Sequence, residues 1–395
     1  MGLVRSSCVQ RRGLSRAEGY SVVMTSLALL VLGACGDAAT VTEESSESGD
    51  PDLAFAEPAV SVLPGERMDL QVLLTDAQAD PVEETSASEL AWSSSDPDVA
   101  TVESGELEAH EPGTARVTAE HPDGPRAGVD VEVQSGTGAK LIMSEDWSSG
   151  DFRQWDDGPS RTDTWNVVHD PSLAYRGEHV LEVEVPADQD AGYLGLFNPL
   201  APGSREIYVR ARIRLADGWD GFLRFFNVRA SDPEHGEWPW QAMGGAGQCP
   251  QGDDRVRIGA AAWDEDSQSE STLRWYNYWK GMWPEPNGHT CWGRHSPDRG
   301  NRNAAHVSAP PRLPIGEWFT VELHAVLNDP GEANGSARMW LDGELKAHWA
   351  EEAWRSSEDL LFNIFQFDLR GRAPGVRHVY LDDIEIRSGL PSHLR

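Results

Sequence analysis

A two-residue alternation of apolar and polar side chains recurs along most of this chain and constrains its fold more than any other feature. Runs such as Val180–Val185, Ile207–Leu215 and Phe319–Val326 alternate over most of their length. Successive side chains of a β-strand point to opposite faces, so this period is typical of strands with one face in a core. No stretch of useful length shows the period of a helix. The sequence therefore predicts an all-β protein.

The first β-rich region covers residues 53–134. It contains short alternating runs, among them Val60–Leu63 and Val129–Val133, and turn pairs such as Pro64-Gly65 separate them. Many short strands in a region of this length predict a β-sandwich.

Two segments of this region resemble a known family. Leu90–Val102 and Pro112–Ala119 are similar to the bacterial immunoglobulin-like domains of invasin and intimin type. The resemblance implies that Trp92 is a core tryptophan with Val99 and Val102 beside it. It also implies a spacer or adhesion module.

The second β-rich region, residues 140–395 after a short linker, is long enough for a jelly roll. Four segments resemble the concanavalin-A-like jelly rolls: Glu145–Gly150 with Trp155, Gly316–Leu323 with Asn328, Met339–Gly343, and Tyr380–Ile384. That superfamily includes alginate and glucuronan lyases as well as noncatalytic lectin-like modules. The resemblance implies that glycans bind across a concave sheet to which several strands contribute.

The N-terminus has the pattern of an export signal. Several arginines precede an apolar run, Ser21–Leu32, that is too short for a good membrane-spanning helix. The sequence Leu32-Gly33-Ala34-Cys35 resembles the lipobox of bacterial lipoproteins, which implies cleavage before Cys35 and a lipid on its sulfur. We therefore expect a lipoprotein signal peptide over residues 1–34, a disordered acidic tether over residues 35–52, and a lipid-anchored protein of the bacterial cell envelope, at the outer membrane or cell surface. The alternative is ordinary cleavage near the same place, which would give a soluble secreted protein.

Charge and cysteine content limit the possible partners. The chain has 65 acidic and 33 basic side chains, a net charge of -32. Such an excess argues against nucleic acid or an anionic membrane surface as the partner. Outside the leader region the cysteines are Cys249 and Cys291, and in an exported protein this even pair predicts a disulfide.

The strongest candidate for a site is the stretch Arg274–Lys280, whose aromatic density favours a strand. Arg274, Tyr276, Tyr278 and Lys280 would share one face, while Trp275, Asn277 and Trp279 would share the other. Two phenols and two cations on one face suit a groove for a polar, anionic chain. The alternative is a solvated face on which Arg274 and Lys280 pair with nearby acids such as Asp264 or Glu270.

Two more strands could line the same groove. Phe222–Arg229 carries Arg224 and Asn227. On Asp254–Trp263 the apolar residues suit the core, and Arg255, Arg257 and Trp263 point the other way. Trp238 and Trp240 could form a loop platform for sugar stacking, or they could pack beneath a long loop held by the disulfide.

Cleavage of a uronate by β-elimination needs a group that neutralises the carboxylate, a base and an acid. The resemblance implies Arg or Asn for the first role, which Arg224 or Asn227 could fill, and Tyr, His or Lys for the others. Tyr276 and Tyr278, about 7 Å apart along a strand, could be base and acid. Arg274 and Lys280 would favour the phenolate. His289 or His295 could be the base instead.

The histidines show no zinc-binding spacing, and we expect no cofactor, although Asp382 and Asp383 could bind calcium together with Asp146. We expect a monomer that engages polysaccharide. Three functions remain open: a lyase for a uronate-containing glycan, a noncatalytic carbohydrate-binding or adhesion lipoprotein, and a structural lipoprotein of the envelope.

Overall fold

The protein is all-β. The computed structural model describes residues 52–75, 83–84, 87–122, 124–136, 139–232, 247–263, 271–282, 284, 286–293, 304–306 and 310–394. The predictions for the signal peptide, Cys35 and the tether, and those for Trp238, Trp240 and His295, concern residues outside these ranges. Within them the helical elements are three short 3-10 turns, Ala87–Glu89, Asn198–Leu200 and Ser392–Leu394. No helix in the described part of the chain is long and apolar enough to span a membrane.

The N-terminal strands form three small sheets. They are β1 (Asp52–Phe55), β2 (Ala59–Val62), β3 (Arg67–Asp69), β4 (Val72–Thr75), β5 (Glu83–Glu84), β6 (Ala91–Ser94), β7 (Ala100–Glu103), β8 (Glu106–Ala109), β9 (Gly113–Glu120) and β10 (Arg126–Val133). The sheet orders are β1-β4-β5, β2-β10-β9-β6 and β3-β8-β7. β2 and β10 are parallel, and the other pairs are antiparallel.

A shared core holds these sheets together. β9 alternates as the sequence predicts, with Ala115, Val117 and Ala119 buried and their neighbours facing out. Trp92 and Val102 pack partly buried against the cluster that contains Val99. The Trp92 ring meets that of Phe55 edge-on at 6.0 Å. Family membership of this N-terminal sandwich stays a prediction.

The C-terminal strands form two large sheets. They are β11 (Leu141–Glu145), β12 (Trp165–His169), β13 (His179–Val185), β14 (Tyr193–Leu196), β15 (Glu206–Leu215), β16 (Phe222–Ser231), β17 (Gly247–Gln248), β18 (Arg255–Trp263), β19 (Thr272–Trp275), β20 (Thr290–Cys291), β21 (Ala304–His306), β22 (Trp318–Val326), β23 (Gly335–Leu341), β24 (Glu344–Glu352), β25 (Leu361–Asp368), β26 (Gly371–Arg372) and β27 (Arg377–Arg387).

One sheet has nine strands in the order β12-β13-β27-β15-β22-β23-β24-β21, with β11 also on β27. The other has six, in the order β14-β25-β16-β18-β19, with β26 also on β16. β17 and β20 pair separately as a two-stranded ribbon. The two large sheets stack as a sandwich around one continuous apolar core.

Tryptophan fills much of that core. Trp147 and Trp155 stack with ring centroids 5.8 Å apart, and buried Glu145 accepts hydrogen bonds from the Trp147 backbone N–H at 2.9 Å and the Trp155 indole at 3.1 Å. At the other end, Trp279, Trp349 and Trp354 contact one another edge-on. The many tryptophans of the sequence therefore serve packing in large part.

The N-terminal sandwich is packed against the outer face of the nine-stranded sheet through buried charges. Arg210 of β15 pairs with Asp383 of β27 at 2.7 Å and also with Glu106 of β8. Arg176 reaches the same Glu106 at 2.7 Å. Arg212 of β15 pairs with Asp69 of β3. We call these six residues the junction cluster.

Hydrogen bonds outside the cluster extend this contact. Arg387 donates to the Ala139 carbonyl at 2.8 Å and to the Gly65 carbonyl. Gln71 donates to the Asp342 carbonyl at 2.8 Å. A cavity of about 500 Å³ lies between the two sandwiches, lined by residues that include Met68 and Leu394. The spacer implied by resemblance is thus fixed to the jelly roll and not held away from it, and the outer face of the six-stranded sheet lies on the opposite side.

Substituting Asn for Asp383 tests the junction cluster. Burial acts against the charge of this carboxylate, but Arg210 and Arg212 outweigh it and hold its pKa well below its usual range. Its φ is +44°, a conformation that asparagine tolerates, so Asp383→Asn removes charge with little backbone strain. Removing one member of a buried ion pair costs about 3–5 kcal/mol, and we expect that loss in denaturant unfolding. Asp130→Asn, which breaks an exposed pair with Arg116, should cost under about 1 kcal/mol. Equal effects would contradict the role of the cluster.

Glu322 predicts a pH dependence of stability. Burial raises the pKa of this carboxyl from 4.5 to about 7, although it accepts a hydrogen bond from Tyr208. Between these values the folded state binds more protons than the unfolded state, so the free energy of unfolding falls as pH rises from about 4.5 to 7. In Glu322→Gln this fall should be smaller by up to about 1.4 kcal/mol per pH unit. Urea unfolding across this range measures it, with the exposed Glu120→Gln as the control. A slope unchanged from the wild type would refute the assignment.

Candidate functional site

The outer face of the six-stranded sheet carries a row of polar side chains over an apolar inner face. On β18, Val256, Ile258 and Ala260 enter the core and Arg257 points away from it. On β16 a register irregularity between Arg224 and Phe226 allows both Phe225 and Phe226 to enter the core. On β25, core phenylalanines alternate with Gln366 and Asp368. We call the set Arg224, Asn227, Arg229, Arg257, Gln366, Asp368 and Arg370 the arginine face.

Cations outnumber acids on the arginine face. Asp368 pairs with Arg224 at 3.5 Å, with Arg370 at 3.4 Å and with Arg257. Burial disfavours the charge of Asp368, but Arg257 and Arg224 outweigh it and lower its pKa. Three guanidinium groups thus pair with this one carboxylate among the described contacts of the face, and the charge of a fourth, Arg229, also lowers its pKa.

Arg229 is held by amides. Its Nε donates to the Asn227 side-chain oxygen at 2.7 Å, and its Nη2 donates to the Gln366 side-chain oxygen at 2.9 Å. Burial, followed by the charge of Arg257, holds the pKa of Arg229 well below its usual range. Both effects oppose its positive charge, and the carboxylate of Asp368 acts against them.

A pair of tyrosines lies next to the arginine face. The hydroxyls of Tyr276 and Tyr278 are 3.3 Å apart, and their rings meet edge-on with centroids 5.7 Å apart. The guanidinium groups of Arg257 and Arg224 lie 4.5 and 5.0 Å from the centre of the Tyr276 ring. The structure therefore brings together four predicted site residues, Tyr276, Tyr278, Arg224 and Arg257, and places the predicted Asn227 beside them.

The backbone explains how the tyrosines come to share a face. β19 ends at Trp275, but Tyr276 donates to the Gly259 carbonyl at 2.8 Å and Tyr278 exchanges hydrogen bonds with Arg257 at 2.8 and 2.9 Å. The chain thus continues beside β18. Trp275 and Trp279 enter the core, and Asn277 accepts a hydrogen bond from the Gly259 N–H at 3.1 Å.

The proposed activation of the phenols by Arg274 and Lys280 is wrong for Tyr278. Burial, followed by the neighbouring Tyr276, raises the pKa of Tyr278 to about 12, and the cation that opposes this rise is Arg257. Arg274 is buried, and its Nε donates to the Thr272 hydroxyl at 3.0 Å. Lys280 is exposed, with its stem against Gly252. Tyr278 is therefore protonated at neutral pH.

The two-stranded ribbon β17–β20, which a disulfide closes, lies against the tyrosines. Cys249 and Cys291 form the predicted disulfide beside the β17–β20 pair. Two residues later the Gly293 N–H donates to the Tyr278 hydroxyl. A Cβ at Gly293 would lie 2.6 Å from the Tyr276 Cζ, so only glycine fits. Tyr276 and Tyr278 are 9% and 6% exposed.

The described contacts of three other predicted site residues are with groups other than the two tyrosines. Arg255 binds Asp254 at 2.7 Å and the Gln248 carbonyl at 2.7 Å. Trp263 packs edge-on against Phe222 at 4.2 Å. His289 is exposed in the turn that precedes β20, with its Nδ1 2.9 Å from the Asn287 carbonyl oxygen.

The suggested calcium ligands have separate partners. Asp382 accepts from the Tyr175 N–H at 2.9 Å, Asp383 binds Arg210, and Asp146 accepts from the Ser148 N–H at 3.0 Å. The described residues contain no group of three or more His, Cys, Asp or Glu placed to hold a metal ion. The calcium prediction gains no support from these carboxylates.

Sequence reasoning missed Arg229, Gln366, Asp368, Arg370 and Gly293. A signal existed for two of them, because Gln366 and Asp368 alternate with phenylalanines in Leu361–Asp368. No local sequence pattern identifies Gly293, because its importance comes from its contact with the ring of Tyr276.

Gly293→Ala tests this contact. The added methyl would force the segment after β20 or the Tyr276 ring to move. We therefore expect a loss of about 1–3 kcal/mol in unfolding free energy. The near-ultraviolet circular dichroism of the aromatic groups should change with it. Gly158→Ala is the control, because a Cβ there meets nothing within 4 Å. If both variants behaved like the wild type, the described contact would be wrong.

The chain matches no protein-family model, and no curated protein matches it. Among solved structures it is similar to the alginate lyase Aly36B, with 15% identity, a TM-score of 0.42, and coverage of 62% of this chain and 96% of that one. It is similar to an endo-beta-1,4-glucuronan lyase from the fungus Trichoderma reesei, with 14% identity, a TM-score of 0.42, and coverage of 63% and 95%. It is also similar to the kappa-carrageenase from Pseudoalteromonas carrageenovora, with 13% identity, a TM-score of 0.37, and coverage of 62% and 92%. Values this low do not establish a shared function.

Proposed function

We propose that this protein binds an anionic polysaccharide on the arginine face and cleaves it by β-elimination at a uronate. The observation that carries the proposal is the excess of guanidinium groups beside a buried tyrosine pair. A bound carboxylate would give Arg229 a direct ion pair, which the described residues do not provide. Such charge-assisted hydrogen bonds are about twice as strong as neutral ones.

Two buried donors on this face support the same ligand class. Gln366 Nε2 and Arg257 Nε make no hydrogen bond with the described residues. Unpaired buried donors each cost about 1–3 kcal/mol. A carboxylate or hydroxyl of a bound sugar would satisfy them, which favours an oxygen-rich anionic ligand.

The tyrosines and arginines can divide the steps of elimination. An arginine neutralises the uronate carboxylate, which makes the C5 proton easier to remove. Tyr276 would take that proton as its phenolate and become the neutral phenol, with the guanidinium groups of Arg257 and Arg224 4.5 and 5.0 Å from its ring centre. The C5–H electron pair then forms the C4–C5 double bond, and the C4–O bond breaks. Tyr278, protonated at neutral pH, would give its proton to the leaving oxygen.

A second candidate is binding without cleavage. The small exposure of both tyrosines favours it, because a base must come within hydrogen-bonding distance of the proton that it takes. Under this candidate the arginine face holds the glycan and the tyrosines only support Arg224 and Arg257.

We place this activity in the bacterial cell envelope. The support is the lipobox-like Leu32-Gly33-Ala34-Cys35 after a short apolar run. Cys35→Ala should abolish incorporation of labelled fatty acid and release the protein from membranes. Incorporation that persists in this variant would refute the anchor.

The central test uses residues 36–395, because the two sandwiches are packed together. The protein is incubated with alginate, glucuronan and glycosaminoglycans while the ultraviolet absorbance of the unsaturated product is followed. A rise supports elimination. Retardation in a gel containing the glycan, without a rise, supports binding alone. If no anionic glycan gives either a rise in absorbance or retardation, the proposal is overturned.

Tyr278→Phe separates catalysis from binding, because it removes only the hydroxyl. General acid catalysis contributes about 10²–10⁴-fold, so we expect kcat to fall by at least about 100-fold with little change in gel retardation. Arg224→Gln should instead weaken retardation, by about tenfold, and reduce its salt dependence. Tyr380→Phe on β27 is the matched control and should leave both unchanged.

A further inference from the structure

Trp292 is an exposed aromatic side chain close to the candidate site along the described part of the chain. Three large apolar side chains of the described residues are strongly exposed: Leu141 at 43%, Trp292 at 49% and Val376 at 50%. Leu141 begins β11 and Val376 immediately precedes β27, so both lie at the nine-stranded sheet. Trp292 instead follows β20 of the ribbon beside the tyrosines.

The neighbours of Trp292 fix its place at the edge of the site. Cys291 before it is fully buried in the disulfide with Cys249. Gly293 after it lies against the Tyr276 ring and donates to the Tyr278 hydroxyl. Consecutive Cα atoms are about 3.8 Å apart, so the backbone of Trp292 lies next to the residue that contacts the tyrosine pair.

The indole is also held in place. The ribbon β17–β20 and the disulfide restrain its backbone on one side. Gly247 of the facing strand lies beside the ring, because a Cβ there would be 3.6 Å from two of its carbons. A restrained aromatic side chain loses little entropy when it binds, which suits recognition.

We infer that Trp292 is a sugar-stacking subsite, which packs its ring against the apolar face of a pyranose next to the uronate on the arginine face. This rests on the proposed function. The seven residues of the arginine face supply charges and amides and include no aromatic ring, and a polysaccharide presents pyranose faces along with its carboxylates. The charged groove binds the carboxylates of such a ligand, and an aromatic ring at its edge packs against a pyranose face.

The inference has two consequences. Recognition needs at least two sugar units, so a single uronic acid competes poorly against an oligosaccharide. The β17–β20 ribbon must also be intact to position Trp292. Loss of the disulfide should therefore weaken glycan binding without removing any group of the arginine face.

The experiment compares glycan retardation of wild-type residues 36–395 with that of Trp292→Ala, Trp292→Tyr and Val376→Ala, using the anionic polysaccharide that the wild type binds best. We expect about tenfold weaker binding for Trp292→Ala, recovery of most affinity in Trp292→Tyr, and no change in Val376→Ala. Thermal unfolding midpoints confirm that each variant is folded. The double variant Cys249→Ser/Cys291→Ser should weaken binding in the same direction.

The outcomes separate the two claims. If Trp292→Ala binds glycan as well as the wild type does, the subsite is overturned and the proposed function stands. A wild type that binds no anionic glycan would overturn both. Equal competition by a single uronic acid and by an oligosaccharide would also contradict the subsite.

Discussion

Each strand of the six-stranded sheet has to satisfy two environments, because its successive side chains point to opposite sides. The inner side meets the tryptophan-rich core, and the outer side carries the arginine face. A shift of one residue would exchange the two sets and place guanidinium groups in the core. The apolar pattern of β16, β18 and β25 therefore fixes where the charges of the candidate site lie. The site is a product of core packing before it is a product of its own contacts.

Burial of charge follows the same logic on the other side of the molecule. Arg210 and Arg212 point out of the core, yet they are almost fully buried, because the N-terminal sandwich lies over them and supplies Glu106 and Asp69. There the cations meet their carboxylates. On the arginine face, the described residues bond Arg229 through amides and leave the carboxylate of Asp368 to the other arginines. This contrast is why a ligand is assigned to one face and a structural role to the other.

The parts of the fold that depend on local pattern were predictable from the sequence. The alternation gave the all-β class, the two faces of Trp275–Trp279, and the outward direction of Arg257. The disulfide followed from an even pair of cysteines in a chain that we expect to be exported. Contacts between distant segments were not predictable: Asp368 reaches Arg257 across 111 positions, and Glu106 reaches Arg210 across 104. The phenolate argument was wrong for Tyr278 because sequence shows nearby charges but not burial, and burial dominates its pKa.

The amide cradle of Arg229 has a practical consequence. If the arginine face binds anions as proposed, a buried guanidinium group with no direct ion pair among the described residues also attracts small anions from the solvent. Phosphate, sulfate or citrate in a storage buffer would then occupy the place of a sugar carboxylate and act as competitors. Affinities for a glycan measured in such buffers would understate the intrinsic value, and a chloride-poor, zwitterionic medium would come closer to it.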